Sequence, residues 1–280
     1  MLQTLAPKAY CLTPTIMRAK KTLGQNFLHS KSALNAIVTA GDLHSADVVL
    51  EVGPGKGVLT HELLLVAKKV IAVEKDHRLL PLLKERFAQE IISEKLILIE
   101  DDILNFLPIH YKLKAKSYKI IANIPYYITG IFLRKFLESS CQPQSMVVLL
   151  QKEVAKRIVA RDKKESILSL SVKAYGQPQF LHIVKRTAFR PAPNVDSAIL
   201  RIDTISKNFF SHFSEKNFFM LVKEGFKSKR KKLLGNLKSF FSLDDFKKLG
   251  ISPNARAEDL ALSDWGNLAE LYAHTKKKFQ

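Results

Sequence analysis

The sequence has little cysteine, few acidic residues and no long hydrophobic run. Its two cysteines, Cys11 and Cys141, are far apart, which excludes a disulfide framework and favours a reducing compartment. No apolar stretch approaches the roughly 20 residues that a membrane span needs. The eight histidines are scattered, and none of them has the spacing of a metal site. These absences predict a soluble, cytoplasmic protein that holds no metal and does not associate with membranes.

The shortage of acidic residues leaves a strongly basic chain. Among 280 residues, 45 lysines and arginines stand against 26 aspartates and glutamates, a formal net charge of +19. Such a field attracts polyanions, so we expect a nucleic acid partner; the alternative is an inert basic surface. No acidic residue precedes Asp42. We interpret the N-terminal region as a basic arm that touches nucleic acid rather than as an organellar transit peptide.

Short strand-like runs alternate with helical patterns as far as about residue 205. Strands separated by helices are typical of a parallel sheet that is covered on both faces. Two later strands, 178–184 and 197–205, are joined by a proline-containing stretch and predict an antiparallel edge. We therefore predict an α/β fold with a mostly parallel, seven-stranded sheet. The predicted parallel strands are 47–52, 69–73, 96–99, 119–122 and 146–150.

After about Lys207 the strand-like runs disappear, and phenylalanines and leucines recur at helical spacing between basic residues. We predict an N-terminal extension (1–17), a sheet domain (18–206) and a small helical domain (207–280). The densest basic run lies at the start of the predicted second helix of the helical domain. Its cations are expected to neutralise RNA phosphates without reading bases; the alternative is a solvated helix face. The candidate RNA-binding residues are Lys227, Lys229, Arg230, Lys231 and Lys232.

A glycine cluster, Glu51-Val-Gly-Pro-Gly-Lys-Gly57, follows the first predicted strand and precedes a helix. Gly53 and Gly55 let the backbone approach a ligand, although a tight turn without a ligand is an alternative. Glu74 ends the next strand, where a carboxylate can accept both hydroxyls of a ribose, and Asp102 can meet an adenine amino group. Dehydrogenases prefer G-x-G-x-x-G, and Glu51, Glu74 and Asp102 would repel a pyrophosphate. S-adenosylmethionine, which has ribose and adenine but no phosphate, fits better.

The motif Asn123-Ile-Pro-Tyr126 follows a predicted strand. The Asn123 amide oxygen and the Ile124 carbonyl can accept the two N–H groups of an adenine amine and aim its lone pair at a methyl group. Pro125 stiffens the turn, and Tyr126 offers a face for stacking the base. No general base is needed, because the proton can leave to water after transfer. The alternative is a strand-terminal turn with a core tyrosine.

In this order, the motifs resemble those of the small-subunit ribosomal RNA adenine N6,N6-dimethyltransferases. The resemblance extends from about Arg18 to the C-terminus. Besides the glycine cluster and the Asn-Ile-Pro-Tyr motif, it rests on Lys20-Lys-Thr-Leu-Gly-Gln-Asn-Phe-Leu28, Phe189-Arg-Pro-Ala-Pro-Asn-Val-Asp-Ser197 and Asn254-Ala-Arg-Ala-Glu258.

The resemblance implies a Rossmann-like class I methyltransferase, and that Phe189 stacks on the target adenine opposite Tyr126. It also implies that the enzyme methylates two adjacent adenines in the 3′-terminal hairpin of small-subunit rRNA, within a partly assembled 30S subunit and late in its biogenesis. We expect a monomer. With Gly55 from the glycine cluster, the expected S-adenosylmethionine contacts are Asn26, Leu28, Gly53, Gly55, Glu74, Asp102 and Asn123.

Three alternatives stay open at this point. The large-subunit rRNA adenine methyltransferases of the macrolide-resistance type share the cofactor loop and the catalytic motif, although the 189–197 stretch and the tail motif argue against them. A non-catalytic assembly or transcription factor would keep the fold, but its active-site residues would usually decay. A nicotinamide-dependent dehydrogenase is disfavoured by the glycine spacing and by the net charge.

Overall fold

The computed structural model describes residues 19–20, 23–228 and 230–277, without the side chains of the last two. The predicted extension 1–17 lies outside these residues. The strands are β1 (Phe27–Leu28), β2 (Val48–Val52), β3 (Lys69–Glu74), β4 (Leu96–Glu100), β5 (Lys119–Asn123), β6 (Ser145–Gln151), β7 (Gln177–Val184), β8 (Phe189–Arg190) and β9 (Ser197–Asp203). The helices are α1 (Lys31–Gly41), α2 (Val58–Val66), α3 (Leu80–Arg86), α4 (Ala88–Ile92), α5 (Thr129–Leu137), α6 (Lys152–Val159), α7 (Ile167–Lys173), α8 (Glu215–Gly225), α9 (Leu233–Asn236), α10 (Leu243–Lys248) and α11 (Leu262–Lys277).

Seven strands form one sheet in the order β4-β3-β2-β5-β6-β9-β7. The five strands from β4 to β6 are parallel, whereas β9 runs antiparallel to both of its neighbours. The predicted α/β fold, with a mostly parallel sheet and an antiparallel edge, is confirmed. The strand order reverses between β2 and β5, and the crevice at such a switch point is where open α/β sheets bind ligands.

The central strands are short aliphatic runs because both of their faces are covered. Along β2, Leu50 and Val52 pack into one hydrophobic cluster, whereas Val49 packs into the cluster on the opposite face. Alternation of side chains along a strand produces this division. On the second face, α1 begins where the Ser30 hydroxyl accepts a hydrogen bond from the Ala33 amide, as the sequence predicts for a cap residue.

The chain beyond β9 is helical, as predicted, and its core continues that of the sheet. Phe218 and Trp265 are fully buried and belong to the same hydrophobic cluster as Ile202 of β9. The hydroxyl of Tyr175, two residues beyond α7, donates to Glu215 of α8 over 2.5 Å. The division into two domains near Lys207 stays a prediction. No helix in the described ranges combines the length and apolarity that crossing a membrane requires.

The placement of the basic run at the start of a helix is wrong. The described residues 226–228 and 230–232 lie outside the helices, between α8 and α9, and we call this segment the basic turn. Gly225, the last residue of α8, packs directly under the Trp265 ring, where a Cβ would lie 2.3 Å from the indole. The Asn236 side-chain amide then donates to the carbonyls of Gly225 and Ser228, over 2.6 and 3.2 Å. These bonds replace the helical ones and hold the connection as a turn.

Candidate active site

A cavity of about 310 Å³ opens at the carboxyl ends of β2, β3 and β5. Parallel strands end at the same edge of the sheet, so residues far apart in sequence meet there. The structure brings together all the predicted cofactor-binding and catalytic residues. The walls of the cavity include Asn26, Leu28, Gly53, Gly55, Glu74, Asp102, Asn123, Ile124, Pro125, Tyr126 and Phe189.

The glycine cluster forms the floor of this cavity. Gly53 directly follows β2 with a φ of +70°, and its amide donates to the Val73 carbonyl over 3.0 Å. A Cβ on Gly53 would lie 3.5 Å from the Asn123 carbonyl oxygen, so glycine keeps the floor open beside the end of β5. At Gly57, with a φ of +76°, a Cβ would lie 2.5 Å from the Phe87 ring. Gly57 therefore allows the start of α2 to pack closely against the Phe87 ring.

Glu74 lies at the end of β3 and is nearly buried. One of its carboxylate oxygens accepts the Gly55 amide over 3.0 Å, and the other accepts the Asp76 amide over 2.8 Å. Burial raises the pKa of Glu74, and these amide bonds oppose the rise. Because a carboxylate has about four acceptor positions, each oxygen can still accept one ribose hydroxyl.

Asp102 lies two residues beyond β4. Its carboxylate accepts the Leu104 amide over 2.9 Å and the Lys75 ammonium over 2.7 Å. Partial burial acts to raise the pKa of Asp102, but the Lys75 and Leu104 hydrogen bonds prevail and lower it. Asp102 is therefore ionised at neutral pH and can accept an amino group. The sequence did not identify Lys75 as a partner of Asp102, although Lys75 directly follows Glu74.

The expected role of Glu51 in repelling a pyrophosphate is wrong. Glu51 is fully buried and is not among the residues that line the cavity. Burial, together with the charge of Glu74, raises its pKa to about 8, although the nearby Thr60 hydroxyl acts in the opposite direction. Its carboxyl group is thus largely neutral at pH 7. Asp101, which the sequence reasoning missed, joins Glu74 and Asp102 at the cavity instead.

The motif of residues 123–126 turns away from the sheet at the edge of the cavity. Asn123 is the last residue of β5, and its side-chain amide makes no hydrogen bond to any residue that the structure describes. Pro125 has φ −57° and ψ 136°, and its carbonyl accepts the Ile128 amide over 3.2 Å, which starts the next turn. An amide left without a protein partner in a cavity wall is available to a ligand.

Two aromatic rings border the same cavity. The Tyr126 hydroxyl lies 2.7 Å from the Ser197 hydroxyl, and burial raises the pKa of Tyr126, so the phenol stays neutral. Phe189 is only 3% exposed and packs in the core, yet it also lines the cavity. It belongs to β8, which pairs with β1 so that Leu28 lies opposite Phe189. The motif of residues 189–197 therefore supplies one ring and the hydroxyl that holds the other.

The cavity has further walls that sequence reasoning did not single out. Tyr127 is 64% exposed at its mouth, and Arg190 is exposed beside Phe189. The Lys56 ammonium lies 5.2 Å from the centre of the Phe27 ring. These residues adjoin the recognised motifs, and that adjacency is the signal that would have found them.

The basic turn does not line the cavity. Lys227 pairs with Glu224 over 2.9 Å, whereas Arg230, Lys231 and Lys232 are exposed and form no ion pair within the described part of the chain. Lys229 lies outside the described residues. Unpaired surface cations are free to meet phosphates.

The sheet order and the position of the cavity define a Rossmann-like class I methyltransferase. The donor set fits S-adenosylmethionine: acidic acceptors at the ends of β3 and β4, an open glycine floor, and an amide at the end of β5 that has no partner among the described residues. The model of the family "Ribosomal RNA adenine dimethylase" matches residues 16–274. The chain belongs to this family and is an S-adenosylmethionine-dependent rRNA adenine dimethyltransferase.

Individual relatives agree with this membership. The chain is 43% identical over 263 residues to the ribosomal RNA small subunit methyltransferase A of Dehalococcoides mccartyi, covering 92% of this chain and 89% of that protein. It is 35% identical to the protein of the same name from Clostridium botulinum, covering 89% and 92%. The structure of a Plasmodium falciparum dimethyladenosine transferase superposes with a TM-score of 0.76 at 27% identity, covering 90% of this chain and 98% of that one.

The 23S rRNA methyltransferase ErmE shares the fold. Its structure superposes with a TM-score of 0.72 at 23% identity, covering 89% of this chain and all of that one. Family membership decides against the dehydrogenase and the non-catalytic factor that the sequence left open.

Proposed function

We propose that the protein transfers two methyl groups to N6 of each of two adjacent adenines in the 3′-terminal hairpin of small-subunit rRNA. The observation that carries the proposal is the unpaired Asn123 amide, which lies in one cavity with Glu74 and the rings of Tyr126 and Phe189. This arrangement supports the proposal, because an acceptor suited to an adenine amine lies in the same cavity as acceptors suited to a nucleoside cofactor.

The end of the cavity near Glu74 and Asp102 binds the nucleoside part of S-adenosylmethionine through hydrogen bonds. Glu74 accepts the two ribose hydroxyls, and Asp102 accepts the adenine amino group of the cofactor. Leu28 packs on its apolar surface, Asn26 meets its methionine end, and the Gly53–Gly55 backbone approaches it closely. When bound, S-adenosylmethionine supplies a methyl group on a positively charged sulfur, which makes the methyl group electrophilic.

The substrate end holds a purine between Tyr126 and Phe189. Stacking contributes about 1–3 kcal/mol per base. The Asn123 amide oxygen and the Ile124 carbonyl accept the two N–H groups of the amine, which keeps its nitrogen pyramidal and directs its lone pair at the methyl group. Orientation and electrostatics carry the catalysis, and the released proton passes to water.

The small-subunit substrate is supported by the names of the relatives at 35–43% identity, which are small subunit methyltransferases. ErmE, named for 23S rRNA, is more distant in sequence. We further infer that the enzyme is a cytoplasmic monomer that acts late in biogenesis on partly assembled 30S subunits. The helical region 207–280 would dock on RNA through the basic turn, and RNA shape and flipped-out bases would supply selectivity.

Methyl transfer to undermodified small subunits, followed by reverse-transcription mapping, tests the substrate. We expect two adjacent blocked adenines near the 3′ end of small-subunit rRNA and none in large subunits. Modification of large-subunit rRNA alone would overturn the proposal in favour of the macrolide-resistance type of activity.

The cofactor assignment is tested separately by calorimetry with S-adenosylmethionine. Glu74→Ala should weaken binding at least tenfold, because two charge-assisted hydrogen bonds are lost. Glu85→Ala, which changes an exposed carboxylate on α3, is the matched control and should bind like the wild type. Equal affinities of the two variants would remove Glu74 from the cofactor site.

A further inference from the structure

One short segment touches both ends of the cavity. Residues 23–29, which we call the strap, line it along their whole length. A Cβ on Gly24 would lie 3.2 Å from Pro125 of the catalytic turn and 3.4 Å from the Tyr127 ring. The Phe27 ring in turn packs against the cofactor loop, since a Cβ on Gly55 would lie 3.1 Å from it. The strap therefore connects the cofactor loop to the catalytic turn.

At its C-terminal end the strap is held by backbone pairing. Leu28 lies opposite Phe189 in the two-stranded β1–β8 sheet, and the His29 amide donates to the Ala188 carbonyl over 3.0 Å. Two paired residues are a weak attachment, because a strand this short makes few ladder bonds. Additional contacts must hold the N-terminal end of the strap.

Gln25 provides such a contact. Its side-chain amide donates to an Asp76 carboxylate oxygen over 2.8 Å, and its own oxygen accepts the Lys20 amide over 2.8 Å. Asp76 is 2% exposed and is held by Arg78, whose Nε and Nη2 donate over 2.8 and 2.6 Å. Arg78 already donates to both carboxylate oxygens, so Asp76 keeps hydrogen-bond partners without Gln25, and the Gln25 bond ties the strap to it.

Asp76 is also hydrogen-bonded to Glu74 in the cofactor site. Its backbone amide donates to the Glu74 oxygen that does not bind Gly55. A continuous hydrogen-bonded path thus runs from the strap, through Gln25 and Asp76, to the carboxylate that faces the cofactor ribose.

We propose that Gln25 is a positioning residue whose hydrogen bond to Asp76 latches the strap over bound S-adenosylmethionine. Release of the latch lets the cofactor exchange, and its closure fixes β1 and the Phe189 strand paired with it. The proposal rests on the cofactor assignment and goes beyond it, because Gln25 acts through the strap.

The test compares Gln25→Ala with Gln177→Ala in the full chain. Gln177 is an exposed residue at the start of the edge strand β7 and serves as the matched control. Loss of a hydrogen bond to a buried carboxylate should raise the Kd for S-adenosylmethionine about tenfold, mainly through faster dissociation. At saturating cofactor, kcat should stay within about twofold of the wild type, because bound cofactor recloses the strap. Gln177→Ala should change neither constant.

Hydrogen exchange at one amide gives a second measurement. The His29 amide should exchange faster in Gln25→Ala, and saturating cofactor should slow it again. Gln25→Glu combined with Asp76→Asn reverses donor and acceptor and should recover part of the affinity that Gln25→Glu alone loses. Equal cofactor affinities for Gln25→Ala and Gln177→Ala would overturn the latch, as would a lower Tm with an unchanged Kd. A wild type that binds no S-adenosylmethionine would instead overturn the proposed function, and the latch with it.

Discussion

The cavity holds its polar side chains in fixed positions, whereas the basic turn exposes its charged side chains to solvent. Glu74 and Asp102 are each held by two hydrogen bonds from protein donors at 2.7–3.0 Å. Arg230, Lys231 and Lys232 are exposed and form no ion pair with any described residue. Chemistry at one nitrogen depends on orientation, whereas phosphate binding depends on the number of charges nearby. Single substitutions should therefore act strongly at the cavity and cumulatively at the turn.

The largest effect is expected at Asn123. Asn123→Ala removes an oriented acceptor for the reacting amine, and losses of such groups lower kcat by about 100- to 1000-fold. Single-turnover methyl transfer measures this, with circular dichroism to confirm folding. Asn208→Ala, at an exposed asparagine beyond β9, is the control and should react like the wild type. Unchanged turnover of Asn123→Ala would contradict the role of the motif.

The second largest effect is expected on the pH dependence of stability, and it arises from the fully buried carboxyl group of Glu51. Its pKa rises from 4.5 to about 8 on folding. Between these values the folded state binds more protons than the unfolded state, so the free energy of unfolding falls as the pH rises and levels off above about 8. Glu51→Gln should abolish this dependence, whose slope approaches about 1.4 kcal/mol per pH unit.

Urea unfolding between about pH 5 and 9 measures the difference. Glu85→Gln, at an exposed glutamate, should parallel the wild type. Parallel curves for the wild type and Glu51→Gln would show that Glu51 is ionised in the folded protein, contrary to its burial.

The basic turn should respond to the number of charges removed. The triple change Arg230→Gln, Lys231→Gln and Lys232→Gln should weaken RNA binding about tenfold at moderate salt. It should also make the negative slope of log affinity against log salt shallower by about 2. The variant has three fewer cations near the phosphates, so binding releases fewer counterions.

Filter binding at several salt concentrations tests this expectation. A triple change of the exposed residues Lys112, Lys114 and Lys116 to Gln removes the same net charge elsewhere and should reduce the slope less. Equal slopes for the two triple variants would mean that total charge, rather than the basic turn, governs RNA binding.

The smallest effect separates the Tyr126 ring from its hydroxyl. Tyr126→Phe loses the contact with Ser197 but keeps the stacking face, so stability should fall by about 1 kcal/mol and turnover should change little. Tyr118→Phe, which loses a 2.7 Å bond to the Cys141 carbonyl away from the cavity, should show a similar change in stability. Only Tyr126→Ala should impair base capture, and a large loss of turnover in Tyr126→Phe would assign the hydroxyl a catalytic part.

The hydrophobic pattern predicted the fold closely. The sheet strands were found because central parallel strands are aliphatic on both faces; Gly53 directly follows one such strand and Asn123 ends another. The pairing of β1 with β8 was missed, because two-residue strands carry no periodicity. The basic run was placed on a helix, since its spacing does not reveal that the Asn236 side chain bonds the carbonyls of Gly225 and Ser228 just beyond α8.

Local sequence therefore determined which residues end strands, which glycines let the chain turn and where positive charge is concentrated, because these depend on neighbours along the chain. Only the tertiary structure decided that Glu51 is enclosed while Asp101 faces the cavity, and that Gln25 reaches Asp76, 51 positions away. Burial and long-range hydrogen bonds depend on how strands and loops pack together, and no local pattern encodes them.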